Sequence, residues 1–278
     1  MIRARLIPAK GTPMQPMLNT AIRAARSAAR VMMMYIDRLD SVTIDSKGRN
    51  DFVSEVDRLA EQEIIKTLLK AYPDHTIFAE ESGEQPGNDY HWIIDPLDGT
   101  TNFLHAFPHF CISIALKHKG VLQQAVVYDP VREELFAASK GAGAFLNDKR
   151  MRVTSLAGLN GALLGTGFPF KVQQHIDDYL ATFKALFMQA SDIRRPGSAA
   201  LDLAYVAAGR LDGFWELNLS PWDIAAGILL IQEAGGMVSD FNGGKNYFAS
   251  GNVVAANPKV HTDMLKTMKP HLPPQLLR

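Results

Sequence analysis

Val56, Ala60, Ile64 and Leu68 recur at every fourth position, which draws one apolar stripe along a helix. That helix is predicted to start at Ser54 and run towards Tyr72, with Pro73 ending it. Residues 17–35 interleave Ala, Met and Leu with Arg at helical spacing and predict an earlier helix. Apolar runs at 76–79 and 91–94 predict strands. From residue 110 the period changes. Runs at 111–116, 122–128 and 133–138, bounded by Lys119-Gly120 and Asp129-Pro130, predict a meander of antiparallel strands. Beyond Asn160 the two patterns alternate, with strands at 162–165, 213–217 and 253–256 and helices at 175–189, 198–208, 222–234 and 259–268. Gly235-Gly236 supplies a stop for the third of these helices.

Strands and helices in both halves imply sheets covered by helices, an α/β (α+β) chain. The expected organisation is a loose tail over 1–16, rich in Pro, Met and small residues, then an α+β lobe over 17–150 carrying acidic motifs. An α/β lobe over 151–278 completes the site. With no low-complexity linker between them, the lobes should share an interface.

Composition narrows the function. Of 278 residues, 47% are hydrophobic and 21% charged, and Lys+Arg and Asp+Glu both number 29. A neutral balance leaves no electrostatic footprint for strong direct nucleic-acid binding or for an anionic membrane. No run approaches the roughly eighteen apolar residues of a membrane span, and the basic start has no apolar stretch of signal-peptide length. Cys111 is the only cysteine, which excludes an intrachain disulfide and a cysteine-rich metal site and suits a small core residue. A cytoplasmic protein is expected.

The chemistry concentrates in four segments. In Trp92-Ile93-Ile94-Asp95-Pro96-Leu97-Asp98-Gly99-Thr100-Thr101-Asn102-Phe103 an apolar strand ends in a carboxylate, a proline is expected to stop the ladder and force a turn, and a second carboxylate follows. Two carboxylates converging at a turn offer the oxygen ligands that Mg²⁺ takes alongside water and phosphate oxygens. The Gly99-Thr100-Thr101 amides can then face a phosphate. Asp-Gly alone would be only a turn; the whole string is more. Glu80-Glu81 follows the apolar Ile77-Phe78 and could reach a site at the end of the neighbouring strand, or be a solvated charge pair. In Ser220-Pro221-Trp222-Asp223, Ser220 fits an N-cap, Pro221 the first helical position and Asp223 the acid of a capping box. Ser54-Glu55-Val56-Asp57 has the same form. The spacing fits capping and site ligation equally well at Asp57 and Asp223.

Residues 51–57, Glu80-Glu81-Ser82-Gly83, residues 92–103 and residues 221–227, in that order and spacing, resemble the signature segments of the inositol monophosphatase family. The resemblance runs from about Met17 to near the C-terminus. Residues 201–210 and Gly165-Thr166-Gly167-Phe168-Pro169-Phe170 resemble a bacterial branch of that family, the SuhB type. The resemblance implies a layered αβαβα architecture, a homodimer, lithium sensitivity and two to three Mg²⁺ ions. Glu80, Asp95 and the Leu97 carbonyl would hold one ion and Asp95, Asp98 and Asp223 a second. Asp57 would bind a third, looser ion or its water. Thr100, oriented by Asp57, would help activate the attacking water, with Glu80 in the same catalytic group. The Gly99 and Thr100 amides would grip the phosphate, Glu216 would bind substrate hydroxyls, and Gly197 and Ala199 would line the same pocket.

The implied reaction is Mg²⁺-dependent hydrolysis of myo-inositol monophosphate and related polyol or sugar monophosphates by water, without a phosphoenzyme. Fructose bisphosphate, a nucleotide 3′-phosphate or histidinol phosphate are alternative substrates that share the metal motifs. Ser220 stands where animal inositol monophosphatases often carry a histidine, which puts selectivity in question. The SuhB likeness implies a rival role of another class, ribosomal RNA transcription antitermination through NusA and RNA polymerase. Cys111 and the histidines His75, His105 and His109 are expected to stand outside the chemistry, the histidines at surface or turn positions.

Overall fold

The computed structural model describes residues 15–39, 43–48, 51–169 and 173–277. Residues 1–14 of the expected tail and Phe170 lie outside them. The chain runs α1 (Gln15–Tyr35), β1 (Ile44–Gly48), β2 (Asp51–Ser54), α2 (Glu55–Ala71), β3 (His75–Ala79), β4 (Gly83–Gln85), β5 (Asn88–Asp98) and α3 (Thr100–Leu104). The meander follows as β6 (Cys111–His118), β7 (Val121–Asp129), β8 (Glu134–Ser139), β9 (Gly143–Leu146) and β10 (Lys149–Arg150). Then come β11 (Leu163–Thr166), α4 (Ile176–Phe187), β12 (Asp192–Arg194), α5 (Ala199–Ala207), β13 (Gly213–Glu216), α6 (Pro221–Glu233), β14 (Met237–Ser239), α7 (Tyr247–Ser250), β15 (Val253–Ala256) and α8 (Pro258–Met268).

An eight-stranded sheet, in the order β10-β9-β8-β7-β6-β5-β3-β4, and a five-stranded sheet, β12-β11-β13-β15-β14, set the layers. The apolar faces of α1 and α2 cover one side of the larger sheet, burying Val56, Ala60, Ile64 and Leu68 completely. Helices α5 and α6 fill the space between the sheets, and α4 and α8 cover the far side of the smaller one. This is the expected layered αβαβα fold. Central strands read as unbroken apolar runs because both of their faces are covered. In β6, Cys111 and Ala115 face the middle layer while Ile112, Ile114 and Leu116 face α1 and α2. Helix α6 is apolar all round for the same reason, with 224–231 buried throughout.

Three expectations need correction. Helix α1 begins at Gln15, so the end of the expected tail is helical. The hairpin β1–β2 is an addition, since its polar first strand gives no apolar signal. Third, Pro96 does not end the ladder. Strand β5 pairs with β6 through Asp95↔Ser113 and again at Asp98↔Cys111, three steps on one strand against two on the other. That is a β-bulge, and proline is tolerated there because no ladder amide is needed from it.

Candidate active site

The bulge decides where the acids point. In a regular strand, residues three apart face opposite sides of the sheet. The extra residue between Asp95 and Asp98 cancels half of that alternation and turns both carboxylates towards the middle layer, beside Ser113 and Cys111. Asp223 comes to meet them on the first turn of α6. That helix is held to the large sheet at both ends. Ser113 Oγ donates to the Trp222 carbonyl at 3.1 Å, and the Gly141 and Gly143 amides donate to Glu233 at 2.7 and 2.8 Å. One carboxylate oxygen from each of Asp95, Asp98 and Asp223 lies within 4.8 Å of the others.

Glu80 joins them through strand register. Strands β3 and β5 are parallel, with Ala79 opposite Ile94, so the residue after β3 stands beside Asp95. The Glu80 amide donates to the Ile94 carbonyl at 3.1 Å. The next turn is tied down by the buried carboxylate of Glu61, which accepts from the Glu81 and Ser82 amides at 2.8 and 2.9 Å. Only Glu80 of the acidic pair lines the cavity.

Asp98 acts as a cap for a helix far away in sequence. Its Oδ2 accepts from Ser198 Oγ and from the Ala200 amide, both at 2.7 Å, at the start of α5. Those bonds fix its orientation and favour its charged form. Burial pushes its carboxyl above the ordinary value all the same. Asp95, 1% exposed, is pushed well above it by burial and then by Glu80, Asp98 and Asp223. Carboxylates held this close repel unless protons or a cation offset them, and a hard divalent cation fits an all-oxygen set.

Asp57 stands one layer back. It is 1% exposed; its Oδ2 accepts from the Ser54 amide (2.8 Å) and hydroxyl (2.5 Å), and its Oδ1 lies 3.0 Å from Thr100 Oγ1. Thr100 Oγ1 is also 3.1 Å from the Leu97 carbonyl, so one proton faces two acceptors. Asp57 reaches the cavity only through Thr100.

The cavity measures ≈ 360 Å³ and is lined by Glu80, Asp95, Leu97, Asp98, Gly99, Thr100, Gly197, Ala199, Glu216 and Asp223, all of the expected residues except Asp57. Gly99 has φ +97°, a left-handed conformation natural to glycine, and it turns the chain into α3. Glu216, at the end of β13, lies flat over Gly167, where a Cβ would stand 2.0 Å from its carboxylate oxygen. Burial, then Asp202 and Asp223, push the Glu216 carboxyl well up.

The structure adds residues that sequence reasoning passed over. Ser198 orients Asp98. Arg195 is the single cation among the described lining residues, against six carboxylates, and its guanidinium lies 5.5 Å from the Phe168 ring centre. Buried Asp202 stands 3.4 Å from His109 Nε2. A basic residue before the Pro-Gly of residues 196–197 was the one signal that could have marked this wall. His109 is therefore not a surface residue, and neither is His75, whose Nδ1 accepts from the buried Trp92 indole at 3.1 Å. Both arrive by tertiary packing that a turn-like local sequence does not announce. Cys111 is fully buried, and burial beside Asp98 raises its thiol well above the ordinary value, which leaves it inert.

The sequence profile of the inositol monophosphatase family matches residues 13–271. The chain belongs to the inositol monophosphatase family. Within it, the chain is 56% identical over 271 residues to the Nus factor SuhB of Pseudomonas aeruginosa, covering 95% of this chain and 100% of that one. It is 54% identical over 267 residues to the Nus factor SuhB of Escherichia coli, with the same coverage. Among solved structures, the SuhB of Bartonella henselae superposes with TM-score 0.89 at 43% identity over 91% of this chain and 98% of that one. The inositol monophosphatase of Anabaena superposes with TM-score 0.84 at 38% identity over 95% and 98%. Among the described residues of this family member, no helix is long and apolar enough to cross a membrane.

Proposed function

We propose that the chain is a Mg²⁺-dependent phosphomonoesterase acting on myo-inositol monophosphate and related polyol or sugar monophosphates. The observation that carries this reading is the meeting of Asp95, Asp98 and Asp223 within 4.8 Å, in one cavity with the 99–101 turn and Glu216. Glu80, Asp95 and the Leu97 carbonyl would hold one ion, and Asp95, Asp98 and Asp223 another. When bound, magnesium supplies positive charge that offsets the substrate dianion and makes water a better nucleophile at neutral pH.

The chain's own residues do the rest. The amides of Gly99 and Thr100 hold the phosphate. The Thr100 hydroxyl, kept in place by Asp57, orients a water for in-line attack on phosphorus. The bond to the alcohol oxygen breaks as the new one forms; the attacking water gives up one proton and the alcohol oxygen takes one up, so ester and water become alcohol and hydrogen phosphate. Glu216, Gly197 and Ala199 hold the alcohol. Burial favours the protonated form of Glu216, and in that form it can donate to a hydroxyl as well as accept. Ser220, which stands where animal inositol monophosphatases often carry a histidine, is also on the cavity wall.

The test is phosphate release from inositol 1-phosphate with and without Mg²⁺, with Asp95→Asn as control. Mg²⁺-dependent turnover lost in the variant supports the reading; turnover by neither protein, with Mg²⁺ bound, rejects it for this substrate.

The identity of more than half of all positions with proteins named Nus factor SuhB favours a second reading, a homodimer that also acts in transcription antitermination by binding NusA and RNA polymerase. Pull-down of NusA by wild type and by Asp95→Asn separates the two. Equal capture makes the binding independent of the chemistry, and no capture by either rejects it.

A further inference from the structure

Asn102 lies in the Asp-Gly-Thr-Thr-Asn string, and the reading above gives it no part. Its side-chain nitrogen stands 2.7 Å from the His109 carbonyl, 2.9 Å from that of Pro196 and 3.3 Å from that of Gly197. All three partners are backbone carbonyls, which only accept, so the amide must turn its NH₂ towards them. One proton serves His109 and the other is shared by Pro196 and Gly197. The approach is close on both sides. A Cβ on Gly197, whose φ is +93°, would stand 3.2 Å from the Asn102 nitrogen. A Cβ on Gly99 would stand 3.1 Å from the His109 carbonyl and 3.3 Å from that of Gly197. The phosphate turn at 99–101 and the wall that begins at 196 therefore meet backbone to backbone, and the side chain of Asn102 ties them.

We propose that Asn102 is a positioning residue that holds the Pro196-Gly197 edge of the alcohol-binding wall at a fixed offset from the phosphate turn, so that both ends of a phosphomonoester are recognised in one register. The inference rests on the phosphatase reading. Helix α5 has its own anchors in the bonds from Ser198 and Ala200 to Asp98. Loss of Asn102 therefore loosens the wall at Pro196 and Gly197 without releasing Ala199 or the helix. Asn102 is half-buried on the cavity, where water can replace its donors to the three carbonyls. A substrate that spans turn and wall feels the loss. One that engages only the turn does not.

The test is steady-state kinetics with Mg²⁺ on inositol 1-phosphate and on p-nitrophenyl phosphate, whose ring offers the wall no hydroxyls. Asn102→Ala is expected to lower kcat/KM for inositol 1-phosphate roughly tenfold or more, chiefly through KM, and that for p-nitrophenyl phosphate by less than about threefold. Asn102→Asp keeps the shape but presents acceptors to acceptors, so it should shift the ratio of the two at least as far as alanine does. A role in packing alone would make it the milder change. Asn102→Ser keeps one donor and should fall between wild type and alanine. A parallel loss on both substrates, an unchanged ratio, or failure of all three variants to fold overturns the inference while wild-type turnover leaves the phosphatase reading standing. If the wild type hydrolyses neither ester, both fall.

Discussion

Helices α2 and α6 begin with a serine followed three residues later by an aspartate, and in both the aspartate accepts from the amide of that serine, at 2.8 Å in α2 and 2.7 Å in α6. The two starts then diverge. Asp57 gives its second oxygen to the Thr100 hydroxyl and stays behind the cavity wall. Asp223 enters the carboxylate cluster with Asp95 and Asp98. A capping acid has two oxygens and the helix uses one, so the neighbour met in the fold decides what the other does. Helix α5 shows a third arrangement, in which the cap arrives from Asp98, a hundred residues away from its partner Ser198.

That contrast can be broken or sharpened by experiment. The largest effect is expected at the shared centre: Asp95→Asn should cut turnover by on the order of a thousandfold or more with the fold intact, the scale of losing a group aimed at developing charge. Near-normal turnover would dissolve the cluster as an active site. Asp223→Asn keeps a capping oxygen but loses the charge, so the Mg²⁺ needed for half-maximal rate should rise steeply while thermal stability changes little. Asp57→Asn should lower kcat by roughly ten- to a hundredfold, as supporting groups do, and leave that Mg²⁺ requirement nearly unchanged. Equal behaviour of these two variants would erase the distinction.

Linkage gives a third measurement. Asp95 and Asp98 have folded-state carboxyls raised above the ordinary 3.8. The folded state then binds more protons than the unfolded chain between that value and the raised ones, so the metal-free protein loses stability as pH climbs through this window. Its Tm should fall from acidic towards neutral pH, and millimolar Mg²⁺ should remove the fall by binding the folded state. A Tm indifferent to Mg²⁺ at neutral pH would count against the site. The smallest effect is local. Ser54→Ala should cost about 1 kcal/mol in a denaturant titration, a typical N-cap loss. Ser54 Oγ both accepts from the Val56 amide and donates to Asp57, whereas the bond at Ser220 uses its backbone, so Ser220→Ala should cost less.

Much of this was legible beforehand. The four-residue stripe of α2 and the apolar runs of the meander report burial directly, because period and burial share one geometry. The acids of the site were legible as strings, and their roles only through resemblance. What the sequence hid depends on contacts between distant segments. Pro96 looks like a strand breaker because its local effect is to remove a donor; in the fold that missing donor falls at the bulge. Ser198 reads only as the start of the helix over 198–208, and nothing local announces that its hydroxyl donates to Asp98. His109 looks like a turn residue and lies buried beside Asp202.

The bulge in β5 makes the interval between Asp95 and Asp98 a matter of parity. Both acids share a face only because one residue between them goes uncounted by the partner strand. Straightening the bulge with every residue kept would turn one carboxylate through the sheet into the apolar layer under α1 and α2, whereas deleting Pro96 or Leu97 would remove the extra residue together with the bulge and leave both acids on one face. Point substitutions in this segment can be graded in severity. The pairing of β5 on β6 is either bulged or not, so with three steps between the acids the bulge is under stricter constraint than the identity of the residues within it.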